Sequence, residues 1–163
     1  MAHLKKLERE EMFRRAEAIH DGYVAGLNCA ERVFLTVHAM VDTEIPPQAV
    51  ALMSGLGGGV GGMRDEVCGA VSGGVAAIGL VYGRPNPPAG NRERVYEVVR
   101  DFVCQFQTTF GACGCAELVG DLLREGTAEA EERRKTRCAQ YTLKAVRLCL
   151  DTLSRFERIY PAS

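Results

Sequence analysis

Most of the chemistry open to this 163-residue chain resides in seven cysteines, at positions 29, 68, 104, 113, 115, 138 and 149. A thiol can serve as a soft metal ligand, as an attacking thiolate or as half of a reversible disulfide. Where nothing activates it, it packs as a small apolar core residue. An odd count rules out complete intramolecular pairing, and the chain is long enough to build a core without cystine staples.

Cys68 is the central candidate. It follows Ser54–Met63, SGLGGGVGGM, with six glycines in ten residues, and it stands in the first turn of an expected helix. Unpaired backbone N–H groups and the helix dipole favour a thiolate there, and Arg64, four residues back, adds positive potential. Cys115, after Phe110-Gly111-Ala112-Cys113-Gly114, falls at a second expected helix start and shares the argument. Cys113 makes a CxC pair with Cys115, a weak signal for a chelate or a redox pair. Cys29 is expected mid-helix on an apolar stripe, a core residue unless other thiols converge on it. Cys138 opens the apolar stripe of the last helix and is open to either reading. Cys149, eleven residues on, lies about 16 Å along an intact helix, so Cys138 and Cys149 cannot share one compact centre. Cys149 reads as core and Cys104 as a peripheral thiol.

The elements that must position these thiols are helical. Ala25, Cys29, Val33 and Val37 recur every four residues, with Ile19, Tyr23, Leu27, Ala30 and Phe34 alongside, which predicts one helix from about Leu7 to Val41. Pro46-Pro47 opens a short helix to Met53. The glycine run is a shaped or mobile loop. A small-residue helix follows from near Val67, with Gly69, Gly73 and Ala77 on one narrow face that could meet a neighbouring helix, a cofactor or a second copy of the chain. Further helices are expected over Arg92–Thr108, Cys115–Arg124 and Glu129–Tyr160. The last carries Glu129–Arg133 and Glu131–Lys135 pairs outside and Cys138, Tyr141, Ala145, Leu148, Thr152 and Phe156 inside. No strand alternation, internal repeat or dividing linker is evident. The expectation is an all-α, compact multi-helix bundle with a glycine-rich inter-helix loop, forming a single domain over residues 1–163.

Twenty basic and 21 acidic residues give a net charge of −1, so no general attraction draws nucleic acid or an anionic membrane. Val67–Tyr82 is too short and too rich in Gly and Ala to span a bilayer. The charged start, MAHLKKLEREEMFRR, lacks a signal-like apolar core, and with seven thiols this points to a cytoplasmic, reducing home. CxxCH, HExxH and GxxxxGK[ST] motifs are all missing, so neither haem, zinc hydrolysis nor a phosphate loop is expected. His20, Asp65 and Glu66 offer only a weak acid–base reading.

The ordered set of motifs resembles the redox-active protein family named for its C, GCAxxG, C, C pattern. Gly26-Leu27-Asn28-Cys29-Ala30-Glu31 is similar to its first element, and Gly57–Gly62 followed by Cys68-Gly69-Ala70-Val71-Ser72-Gly73-Gly74 to its second. Phe110-Gly111 with Cys115-Ala116-Glu117-Leu118-Val119-Gly120 corresponds to its third element, and Cys138-Ala139-Gln140-Tyr141 to its last. The glycine that precedes the second family cysteine is Val67 here. The resemblance implies a redox or metal-binding module with an iron–sulfur cluster as cofactor, zinc as the alternative, and a reductase or other redox protein as partner. A centre built from Cys29, Cys68, Cys115 and Cys138 is the leading expectation. The sequence gaps of 39, 47 and 23 residues match no zinc-finger or ferredoxin spacing. The alternatives are metal-free thiol–disulfide exchange, with Cys68 attacking and Cys115 or Cys29 resolving, and a structural or oligomeric protein with buried cysteines.

Overall fold

The computed structural model describes residues 2–23 and 26–160. Within them the chain is an all-α bundle. Its helices are α1 (Arg9–Gly22), α2 (Cys29–His38), a 3-10 helix (Pro47–Leu56), α3 (Gly69–Tyr82), α4 (Arg92–Phe110), α5 (Cys115–Glu125) and α6 (Ala128–Ile159). Two-residue strands β1 (His3–Leu4) and β2 (Val41–Asp42) pair antiparallel and tie the start of the chain to the segment after α2. Two residues are too few for the apolar alternation that marks a strand, so this ladder has no sequence signature. Among the described residues no helix is long and apolar enough to cross a membrane.

The long α6 is the axis, touching α1, α2, α3, α4 and α5. Thr127 caps its start, accepting from the Ala130 amide at 3.1 Å. Ala145, Leu148, Thr152 and Phe156 of its expected stripe are buried, whereas Cys138 and Tyr141 are half-buried at the site described below. Its cations pair three residues back, the largely buried Arg134 with Glu131 and the exposed Lys135 with Glu132, while Arg133 reaches Glu125. These replace the i,i+4 partners expected from spacing. On α4, the buried stripe is Val98, Phe102 and Phe106, with Val95 and Val99 on its flanks.

The small face of α3 is spent inside the molecule. A Cβ on Gly73 would lie 2.5 Å from the Ala30 carbonyl oxygen, and one on Gly69 would lie 2.8 Å from the Cys29 Cβ. α2 and α3 therefore pack backbone to backbone, which side chains at these positions would prevent.

The expected single helix from Leu7 to Val41 is in fact two. α1 ends at Gly22 and α2 begins at Cys29; Ala25, counted on the apolar stripe, lies outside the described residues. The cause of the second start is Asn28. Its side chain accepts from the Ala30 and Glu31 amides at 2.9 and 3.0 Å, and Glu31 returns a carboxylate to the Asn28 amide at 2.8 Å. This reciprocal capping box satisfies backbone donors that a continuous helix would have bonded internally.

Candidate functional site

The break before α2 relocates Cys29. It is the first residue of a helix rather than a mid-helix core position, so three of the four family cysteines stand at helix starts: Cys29 opens α2, Cys68 caps α3 and Cys115 opens α5. Local chemistry holds these starts together. The Asn28 amide nitrogen donates to the Ser54 carbonyl at 3.1 Å and the Ser54 hydroxyl donates to Glu31 at 2.7 Å, docking α2 on the 3-10 helix. The strands leading into α3 and α5 meet as an isolated antiparallel bridge, Val67 opposite Gly114. Cys68 N donates to Cys113 O at 2.8 Å and Cys115 N donates to Glu66 O at 2.9 Å. Residues 47 apart in sequence thereby become neighbours.

The glycine run shapes the roof. Gly59 has φ +66°, and a Cβ there would stand 2.8 Å from the Cys115 Cβ and 3.0 Å from the Arg64 backbone. Only a residue without a side chain fits both the left-handed conformation and the approach. Arg64 itself adopts φ +71° without being glycine. Such strain persists where surrounding contacts over-determine it, and here Arg64 lines the same cavity as the Cys115 thiol and opposes the rise in its proton affinity.

The fourth cysteine arrives from the middle of α6. Cys29, Cys68, Cys115 and Cys138 all line one small cavity of about 10 Å³, together with Arg64 and Tyr141. The Tyr141 hydroxyl donates to the Leu118 carbonyl at 3.0 Å and fixes α5 against α6. All seven cysteines are free thiols.

The four thiols are electrostatically unequal. Cys29 and Cys138 line the same cavity wall, and the neighbouring Cys138 thiol makes the Cys29 proton easier to lose than that of an ordinary cysteine. Arg134, Arg64 and the Gly58 amide reinforce this against the cost of burial. The second proton is correspondingly hard to remove, and the Cys138 thiol is held far above its usual range. Arg134 approaches the Cys138 sulfur to 3.7 Å, its guanidinium steadied by two bonds to Glu131 at 2.7 and 2.6 Å. Burial pushes Cys68 up to about 12, outweighing the donated Ala70 and Val71 amides, and burial also raises Cys115 despite Arg64. The thiolate expected at Cys68 from its helix start is therefore opposed by desolvation. The group favoured as thiolate is Cys29.

The expected metal centre is overturned. Among the described residues no group of three or more Cys, His, Asp or Glu side chains is arranged to hold a metal ion. The space between the four cysteines agrees with this finding: a cavity of about 10 Å³ holds one water at most and has no room for an iron–sulfide core. The iron–sulfur and zinc ligand set Cys29, Cys68, Cys115 and Cys138 is accordingly withdrawn, and iron-based electron transfer with it.

The remaining cysteines lie elsewhere. Cys113 turns its sulfur toward the Val103 carbonyl, 4.0 Å away, and takes no part in the cavity wall, so CxC forms no chelate. Cys104 is exposed. Cys149 is fully buried, its thiol 3.7 Å from the Gly74 carbonyl oxygen, and acts as core. Sequence reasoning passed over Arg134, whose signal was its place one turn before Cys138 on the same face. It also passed over the Asn28-x-x-Glu31 cap.

Searches of curated proteins and of solved structures returned no match. The family described as "Putative redox-active protein (C_GCAxxG_C_C)" matches residues 27–152, a stretch that spans all four converging cysteines. By that match over most of its length, the chain belongs to the C_GCAxxG_C_C family.

Proposed function

We propose that the chain is a metal-free thiol–disulfide module whose working pair is Cys29 and Cys138. The observation that carries this reading is that Cys29 and Cys138 together line both the inner cavity and the solvent-accessible groove, with Arg134 3.7 Å from the Cys138 sulfur and the Cys29 proton easily lost. A thiolate, rather than a thiol, attacks a disulfide, and a second thiol in contact with it resolves the mixed disulfide. The Cys29 thiolate attacks a partner disulfide and releases one partner thiol. Cys138 then gives up its proton and displaces the second, leaving a Cys29–Cys138 disulfide. Two electrons pass to the partner, which is reduced to two thiols. The family's redox-active description supports the same direction. A disulfide-bearing partner in a reducing compartment suits a pair that rests as free thiols.

The packing alternative is favoured for Cys68, Cys115 and Cys149, all buried and all with raised thiols. Cys68 and Cys115 form the inner wall of the cavity behind the working pair, and the attacking role expected of Cys68 passes to Cys29. Equilibration in graded dithiothreitol redox buffers tests the assignment. The wild-type protein should lose two thiols in one transition with a slope of about 30 mV per decade. Cys29→Ser and Cys138→Ser should each abolish it while Cys68→Ser keeps it. A transition that survives loss of Cys29 would defeat the proposal.

A further inference from the structure

Outside the Cys29–Cys138 pair lies a groove of about 350 Å³. It shares only these two cysteines with the inner cavity, whose volume of about 10 Å³ admits no more than a water, so a reagent reaching the pair arrives from this side. Its volume is at the lower end of small-molecule sites and far below what a folded protein surface would fill. Arg32, Arg134 and Lys135 line it, and among the described residues no Asp or Glu does. The charges of Arg134 and Lys135 are matched by Glu131 and Glu132. Arg32 has no carboxylate partner among the described residues; its guanidinium donates to the Tyr23 carbonyl at 3.4 Å. The groove wall therefore carries a net positive charge, and the start of α2 at Cys29 adds its dipole in the same sense.

We propose that this groove selects a small disulfide bearing carboxylates, held through Arg32 so that one sulfur faces Cys29. The assignment rests on the exchange reading and names its substrate class. In the balanced reaction, the reduced pair and one molecule of anionic disulfide give the Cys29–Cys138 disulfide and two molecules of anionic thiol. The small disulfide is the oxidant, the protein dithiol is the reductant, and the two thiol protons pass to the released sulfurs.

The test uses the fully reduced whole chain with three probes: glutathione disulfide (anionic), bis(2-hydroxyethyl) disulfide (neutral) and cystamine (cationic). Each rate of forming the Cys29–Cys138 bond is divided by that probe's rate with free dithiothreitol. At about 20 mM salt the normalised rate with the anionic probe should exceed that with the cationic one by about tenfold, and about 300 mM salt should shrink the difference. Arg32→Gln should slow the anionic probe about fivefold and leave the neutral one within about twofold, and Arg32→Lys should restore most of the loss. Equal normalised rates, or an equal slowing of all three probes by Arg32→Gln, would overturn the groove assignment alone. Faster oxidation by a disulfide-bearing protein than by glutathione disulfide would overturn it too. Failure of every probe to form the bond would remove the exchange reading and this inference with it.

Discussion

Replacing Arg134 with glutamine should raise the pH at which the Cys29–Cys138 pair first ionises. The guanidinium lies 3.7 Å from the Cys138 sulfur, and its side chain is 14% exposed. At that separation a full charge is worth about 4 kcal/mol at an effective dielectric of 20 and about 1 kcal/mol in water. Glu131, bonded to the same guanidinium, cancels part of it. A net effect of about 1–2 kcal/mol remains, equivalent to roughly one pH unit. The assay is the pH dependence of alkylation by iodoacetamide, a neutral reagent, read from the masses of the Cys29 and Cys138 peptides. Wild-type reactivity should titrate below the ordinary thiol range near 8.5, and that of Arg134→Gln about one unit higher. Glutamine keeps length and polarity, and unchanged cooperative unfolding would establish an intact fold. A midpoint that moves by less than about 0.3 units would mean that Arg134 does not stabilise the thiolate, and the electrostatic account of the pair would fail.

Stability should fall in alkali. The folded-state thiols of Cys68 and Cys149 are raised, so above about pH 8.5 the unfolded chain loses protons that the folded chain keeps. Each then removes about 1.4 kcal/mol per pH unit, up to about pH 12 for Cys68, and urea midpoints in Cys68→Ala with Cys149→Ala should lose this slope. Cys29 has the opposite sign: its lowered proton affinity contributes stability above the unfolded thiol's range, lost as the pH falls through the folded value. Asn28→Ala removes the α2 cap and the bond to Ser54, which should cost about 1–2 kcal/mol in urea unfolding and slow formation of the Cys29–Cys138 bond. Gly73→Ala drives a methyl to 2.5 Å from the Ala30 oxygen, and separation of α2 from α3 should cost about 3 kcal/mol or more. Thr142→Val leaves the buried His20 Nε2 without its 2.8 Å partner and should cost about 1–3 kcal/mol by the same measurement.

The helices downstream of the glycine run were legible because their signals are local. Apolar periodicity placed α4, α5 and α6 within two residues of their observed ends, and the proline pair marked the 3-10 helix. The join between α1 and α2 was misread for a related reason. A stripe repeating every four residues crosses the break, and its continuity hid Asn28 and Glu31, which were readable as a cap. The convergence of four thiols was legible only through the ordered family motifs. The contacts that produce it, Val67 with Gly114 and Gly69 with Cys29, are long-range, and short spacing carries no trace of them. Which thiol ionises was not legible either. A helix start favours thiolate at Cys68, but the desolvation that reverses this depends on packing from α2, α5 and α6, which only the folded chain defines.

The central claim is a specific sulfur pairing, and peptide mapping tests it most directly. Reduced protein is treated with one equivalent of diamide, a neutral oxidant, then alkylated and digested without reduction. The account predicts one dominant cross-linked species joining the Cys29 and Cys138 peptides, reversed by dithiothreitol, with Cys68 and Cys115 alkylated only after unfolding. A dominant Cys68–Cys115 cross-link, or scattered pairing with no preferred partner for Cys29, would contradict it.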